Sequence, residues 1–180
     1  MPRILVPISN GFEEIETISI IDICRRANLD VTIAAVENIH TVGAHNIKIE
    51  ADTMIENVSS TDFDMIVLPG GLPNAFTLAD NIYVQKLLKE FKEADKNIGA
   101  ICAAPYALHK AEVLNTNYTC YPSFEQKIRL DGYHSNNAVI IDNKVITSRG
   151  PGTAMLFALE IVKILCGEET YTNLKKGLLI

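Results

Sequence analysis

The 180-residue chain has no run of lysine or arginine, no long apolar stretch and no paired-cysteine motif. Each absence excludes a class of function. Acidic residues outnumber basic ones, 22 to 16, giving a net charge of −6 and a pI of about 5.2. No basic patch is available for a phosphate backbone, so nucleic acid is not expected as a partner. No apolar run approaches the length that spans a bilayer, so no membrane segment is expected. Met1-Pro2-Arg3 leads directly into Ile4-Leu5-Val6, without the longer apolar region and cleavage site of a secretory signal. A cytoplasmic location is the default expectation. Cys24, Cys102, Cys120 and Cys166 are far apart and show no CxxC or metal-ligand spacing. In a reducing compartment they are expected as free thiols. Repeats, low-complexity tracts and linkers are missing too, and no phosphate-binding P-loop is present.

What is present suits one domain over residues 1–180 with a sizeable core. Apolar residues make up 48 % and charged residues 21 %, an ordinary globular balance. Apolar runs predict strands over residues 3–8, 30–36, 64–68 and 97–101. Shorter strands are predicted over 118–121, 138–141 and 144–148, and a small hairpin outside the main sheet over 41–42 and 46–50. The 3.6-residue period predicts helices over 13–27, 81–94, 104–111, 153–166 and 168–176. In the first, Ile15, Ile18, Ile21 or Asp22, and Arg25 follow that period. In the second, Val84, Leu87, Leu88 and Phe91 form the inward face. Thr153 is a plausible N-cap for the helix over 153–166. Strands alternating with helices imply βαβ units, and so a mainly parallel α/β sheet covered on both faces.

Ligand sites in such sheets form at the carboxyl ends of strands. Three features fall there: the Asn10–Glu16 stretch, Gly70-Gly71, and Cys102. The stretch Asn97-Ile-Gly-Ala-Ile-Cys102-Ala-Ala-Pro105 reads as a short strand ending on a cysteine, then a helix. That places the sulfur on a sharp turn facing free backbone N–H groups and a positive dipole end. Both favour the thiolate, the reactive form. The geometry is the cysteine counterpart of the serine nucleophile elbow. The alternative is a buried, inert cysteine that happens to precede a helix. Cys24, Cys120 and Cys166 read as small core hydrophobes.

Glu13 and Glu14 are accounted for as dipole complements in a first helical turn. Glu16 shares a helical face with Phe12 and Ile20, so it is a candidate for burial. A buried carboxyl stays protonated at neutral pH and can then donate to a thiolate or move protons. Gly70-Gly71 is either a simple turn or a close backbone approach. In the second case the Gly71 N–H joins that of Ala103 in an oxyanion-type site. Of the four histidines none adjoins Cys102; His134 is the best of weak candidates, and a solvated loop position explains it as well. Arg149-Gly150-Pro151-Gly152-Thr153 reads as a rigid turn, with a site role secondary.

Five blocks together resemble the ThiJ/PfpI superfamily, in its DJ-one branch. They are Gly11-Phe12-Glu13-Glu14-Ile15-Glu16-Thr17, Arg25-Arg26-Ala27, Val67-Leu68-Pro69-Gly70-Gly71, Ala100-Ile101-Cys102-Ala103-Ala104-Pro105, and Thr147-Ser148-Arg149-Gly150-Pro151-Gly152-Thr153. The resemblance covers nearly the whole chain. It implies a flavodoxin-like three-layer sandwich and a homodimer, with the first helix and the hairpin around residues 41–50 as the place to seek the interface. It implies that Cys102 is the nucleophile, that Glu16 hydrogen-bonds to it, and that Gly71 and Ala103 amides complete the pocket. Gly70, Tyr121, His134 and Arg149 are further pocket candidates. It also implies cofactor-free conversion of methylglyoxal or glyoxal to hydroxy acids, with deglycation, a redox-dependent chaperone role and oxidation of the cysteine to sulfinate also attributed to the branch. No metal and no cofactor are expected, and the partner is a small α-oxoaldehyde.

Two departures bear on mechanism. The superfamily's peptidases place a histidine directly after the cysteine, where this chain has Ala103, so the usual protease dyad is missing. Animal members carry a pocket histidine before a proline, where this chain has Tyr121-Pro122. Proton transfers then fall to Glu16. The alternative to an enzyme is an oxidative-stress sensor or chaperone that uses the same residues.

Overall fold

Aliphatic runs form the strands and amphipathic segments the helices throughout the computed structural model, which describes residues Met1–Ile180. The chain begins β1 (Arg3–Ile8), α1 (Glu14–Arg26), β2 (Asp30–Ala35), then a small hairpin of β3 (His40–Val42) and β4 (Lys48–Glu50), then β5 (Thr53–Met54) and β6 (Met65–Leu68). It continues α2 (Asn74–Asp80), α3 (Ile82–Glu93), β7 (Asn97–Ile101), α4 (Pro105–Lys110) and α5 (Glu125–Ile128). It closes with β8 (Val139–Asp142), β9 (Val145–Ser148), α6 (Ala154–Cys166) and α7 (Glu168–Leu178).

Seven strands form one sheet in the order β5-β2-β1-β6-β7-β9-β8, all parallel except the β8–β9 pair. Along the parallel strands β2, β1, β6, β7 and β9 this is the 2-1-3-4-5 order of flavodoxin-like folds. Strand side chains alternate between faces. Ile4, Val6, Met65, Val67, Ile101 and Ile146 join α1 and α6 in one core; Leu5, Ile66, Leu68, Ile98, Ala100 and Val145 join α2, α3 and α4 in the other. The sheet thus lies between two helical layers, the three-layer α/β sandwich expected.

The buried stripe of α1 is the Phe12–Glu16–Ile20 face expected for Glu16, and only part of the Ile15–Ile18–Ile21 series lies on it. Ile15 and Ile18 are 58 % and 45 % exposed, whereas Glu16, Thr17, Ile20, Ile21, Ile23 and Cys24 are buried. Steps of four from Glu16 through Ile20 to Cys24 stay on the sheet-facing side; steps of three from Ile15 drift off it. Residues 118–121 do not form a strand. Their amides are satisfied singly: Thr119 N–H donates to Thr147 Oγ1 at 2.9 Å and Tyr121 N–H to the Cys102 carbonyl at 2.8 Å. One bridge, Tyr118 to Tyr133, is all that remains. Thr153 occupies the N-cap position of α6 without capping it; its hydroxyl engages Ser148 Oγ and the Gly150 backbone instead. The helix α2 has no counterpart in the sequence reading, since it opens without a side-chain cap. No helix is long and apolar enough to cross a membrane.

Candidate active site

The sheet order reverses at β1, between β2 and β6, and the site opens above the carboxyl ends of β1, β6 and β7. Cys102 follows β7 with φ of 64°, in the left-handed region that a non-glycine residue adopts at a cost. Its N–H donates to the Ser148 carbonyl at 3.0 Å and its carbonyl accepts from Tyr121, so the turn is held on both sides. The side chain is buried but not sealed, at 8 % exposure.

Two glycines shape the turn beside Cys102, Gly70 against its side chain and Gly71 against the 11–13 backbone. A Cβ on Gly70 would lie 2.6 Å from Cys102 Cβ and 2.8 Å from Glu16 Oε2. Gly71 has φ of 87°, and a Cβ there would lie 2.3 Å from the Gly11 carbonyl. Both positions therefore require glycine. The Gly71 and Ala103 amides lie on the sulfur's side of the turn and pull the Cys102 pKa down, against burial.

Glu16 is fully buried on the first turns of α1. Its Oε2 accepts from Gly70 N–H at 2.8 Å. Its Oε1 is buried and finds no well-formed partner. Burial lifts its pKa to about 8, against the pull of Gly70 N–H and the Cys102 side chain. Burial also pushes the Cys102 thiol up, and the Glu16 carboxylate beside it adds to that rise. This opposes the thiolate favoured by the helix start, and α4 is only six residues long. The two groups are coupled: a proton on Glu16 removes the like charge that raises Cys102. The thiol is therefore held more firmly protonated than the acid, and is eased when Glu16 is neutral.

Glu13 and Glu14 are buried rather than surface dipole complements. Glu13 is the N-cap of α1, with Oε2 accepting from Glu16 N–H at 2.7 Å. Glu14 accepts from the His45 amide at 2.5 Å and pairs with His45 Nδ1 at 2.8 Å. Glu13, Glu14 and His45 are the one group close enough to share a metal ion, with ligand atoms within 4.8 Å of each other. Both Glu14 oxygens and one Glu13 oxygen are already engaged by these amides and the ring.

Sequence reasoning missed Asn74, which is fully buried at the start of α2. Its Oδ1 accepts from Ser9 N–H at 2.7 Å and Ser9 Oγ at 3.1 Å. Its Nδ2 donates to the Pro69 and Gly70 carbonyls, both at 2.9 Å. One side chain thus ties the end of β1 to the Gly70 turn. The Gly70 carbonyl also accepts from Glu13 N–H at 3.1 Å. An asparagine beside a proline gives no sign of this in sequence.

The structure brings Cys102, Glu16, Gly70, Gly71 and Ala103 together. Tyr121 packs over Gly150, and both line a cavity with Arg149 next to Glu16. His134 is not among them; its Nε2 pairs with Asn117 Oδ1 at 2.9 Å.

A flavodoxin-like sheet carrying a strained cysteine, a buried acid and two facing amides defines a class of cysteine-centred α/β proteins. The DJ-1/PfpI family model matches residues 2–164, and the chain belongs to that family. It is 38 % identical to Protein DJ-1 homolog B of Arabidopsis thaliana over 99 % of this chain. It spans only 41 % of that protein's length, and 46 % of the Arabidopsis homolog A. It is 36 % identical to Glutathione-independent glyoxalase DJR-1.2 of Caenorhabditis elegans, over 97 % of this chain and 94 % of that protein. The crystal structure of Drosophila melanogaster DJ-1beta superposes with a TM-score of 0.95 at 37 % identity, covering 99 % of this chain and 98 % of that one. The oxidized DJ-1 of Toxoplasma gondii superposes with a TM-score of 0.95 at 33 % identity, with the same coverage.

Proposed function

We propose that the chain is a glyoxalase-type enzyme that converts methylglyoxal or glyoxal to hydroxy acids without glutathione, metal or other cofactor. The observation that carries this reading is the coupled pair: a buried acid with pKa about 8 beside a cysteine in a glycine-lined elbow. The C. elegans relative named as a glutathione-independent glyoxalase supports it. Cys102 sulfur adds to the aldehyde carbon and gives a hemithioacetal, whose oxygen faces the Gly71 and Ala103 amides. Glu16 takes the proton from that carbon and returns it to the neighbouring one through an enediol. The first carbon becomes a thioester and the second an alcohol, so oxidation and reduction balance within the substrate. Water cleaves the thioester and frees Cys102. Tyr121 stands where animal members carry a histidine, so the proton transfers rest on Glu16.

A second reading has one observation in its favour: the similar Toxoplasma protein is described as oxidized. In it, Cys102 oxidation is itself the signal, and Glu16 shares a proton with the resulting acid. Turnover separates the two. Purified protein is incubated with methylglyoxal without glutathione, and lactate is counted for wild type, Cys102→Ser and Glu16→Gln. Many lactates per chain, lost in both variants, support the enzyme. No lactate above buffer, with rapid stoichiometric oxidation of Cys102 by peroxide, overturns it in favour of the sensor.

A further inference from the structure

Arg149 follows β9 at the edge of the site and takes no part in the mechanism above. Its backbone N–H donates to the Ala138 carbonyl at 3.2 Å, which fixes its place. Its Nε is buried and has no hydrogen-bond partner, and the guanidinium forms no ion pair. A buried donor without an acceptor is costly, and native structures rarely tolerate one without a use. Arg149 is the only charged residue lining a cavity of about 270 Å³, together with Tyr121, Gly150 and Thr153.

That cavity lies beside Glu16, with Gly150 between them. A methyl at Gly150 would lie 3.2 Å from the Tyr121 ring and 4.0 Å from Glu16 Oε1. Tyr121 in turn is bonded through its amide to Cys102. Methylglyoxal uses Cys102, the two amides and Glu16 for both of its oxygens, and leaves Arg149 idle. A guanidinium fork matches a carboxylate in shape and charge.

Resting on the glyoxalase reading, we propose that Arg149 makes the site selective for α-oxoaldehydes that carry a second, anionic group. A carboxylate two or three carbons beyond the dicarbonyl supplies the acceptor that Arg149 lacks. With 4,5-dioxopentanoate, Cys102 sulfur adds at C5, a proton moves from C5 to C4 through Glu16, and water cleaves the thioester. The product is 2-hydroxyglutarate, and no external oxidant is consumed.

Glu125 offers a rival explanation, because its Oε2 is also buried without a partner. If Arg149 serves only as its distant counter-charge, replacing Arg149 affects all substrates alike. The test compares kcat/KM for 4,5-dioxopentanoate and methylglyoxal in wild type, Arg149→Met and Arg149→Lys. Wild type should favour the anionic substrate by about tenfold or more, the worth of one charge-assisted hydrogen bond. Arg149→Met should erase that preference and Arg149→Lys should keep part of it. Equal losses for both substrates, or an unchanged ratio, overturn the proposal. A second readout is independent of turnover: protection of Cys102 from iodoacetamide by 2-hydroxyglutarate or by lactate. Stronger protection by 2-hydroxyglutarate, lost in Arg149→Met, supports the Arg149 site even if neither aldehyde turns over, in which case only the glyoxalase reading falls. Equal protection by the two acids overturns the Arg149 site.

Discussion

Glu16 carries a pH dependence that reports directly on its burial. Its folded pKa of about 8 lies above the 4.5 of the free side chain. Between those values the folded chain binds more protons than the unfolded one, so this group's contribution to stability falls as pH rises. Wild type should lose melting temperature from pH 5 to pH 8 relative to Glu16→Gln, and calorimetry across that range checks it. Parallel curves would mean that Glu16 is ionised in the fold. Gly70→Ala forces a methyl against Cys102 and Glu16, and a shift of about 1 Å in reacting groups costs roughly a hundredfold in rate. Turnover should therefore fall by at least that much while the circular dichroism spectrum is kept. Asn74→Ala leaves Ser9 N–H, Ser9 Oγ and the Pro69 carbonyl short of a partner inside the fold, at a cost of about 1–3 kcal/mol per stranded group. Urea denaturation should show the loss, and turnover should drop with it as the Gly70 turn loosens. Cys102, Glu16 and Gly70-Gly71 were legible because each follows a local rule: an elbow, a four-residue helical step, a paired glycine. Asn74 was not, because its partners come from the ends of β1 and β6, 4 to 65 residues away.

The helix α1 shows where element-scale reading works and where it fails. Its extent was readable within a residue or so from its period, and Glu16 from its step of four to Ile20, yet the burial of Glu14 and Thr17 was not, because apolar periodicity does not mark carboxyl and hydroxyl groups. Glu14 and Glu16 face inward because the β3–β4 hairpin and the Gly70 turn supply donors, and no periodicity of apolar residues signals that. The hairpin docks on the start of α1 through Gly11 N–H to the Val42 carbonyl, Ala44 N–H to the Phe12 carbonyl, and the His45–Glu14 pair. The Glu14 carboxylate raises the exposed His45 ring above its usual 6.5. That contribution to hairpin docking is full below pH 6.5 and lost as pH rises through the folded pKa. Titration by NMR should give a His45 pKa above 6.5, returning to about 6.5 in Glu14→Gln. A His45 value unchanged by that substitution would remove the pair from the account.

For the whole molecule, alternating strands and helices were enough to give a parallel sheet covered on both faces, because each period-2 run meets a period-3.6 partner. The separate β3–β4 hairpin followed from its short, turn-bounded strands, whereas the antiparallel pairing of β8 with β9 came only with the structure. A candidate surface for a second copy is marked by exposure, not pattern. Ile15 and Ile18 on α1 and Ile47 in the docked hairpin are 58 %, 45 % and 52 % exposed, an apolar surface at the α1 face where the homodimer is expected. Replacing Ile15 and Ile47 by lysine should convert a dimer to a monomer in sedimentation velocity. A monomer in the wild type, or a dimer in the double variant, would remove that face as the interface.

The central claim is that Cys102 forms the bond to substrate and Glu16 then moves the proton. Intact-protein mass spectrometry of Glu16→Gln mixed with methylglyoxal tests it most directly. The account predicts one methylglyoxal added, mapped to Cys102, reversible on dilution and not followed by lactate. Lactate formed at the wild-type rate by Glu16→Gln, or addition only at residues other than Cys102, would contradict it.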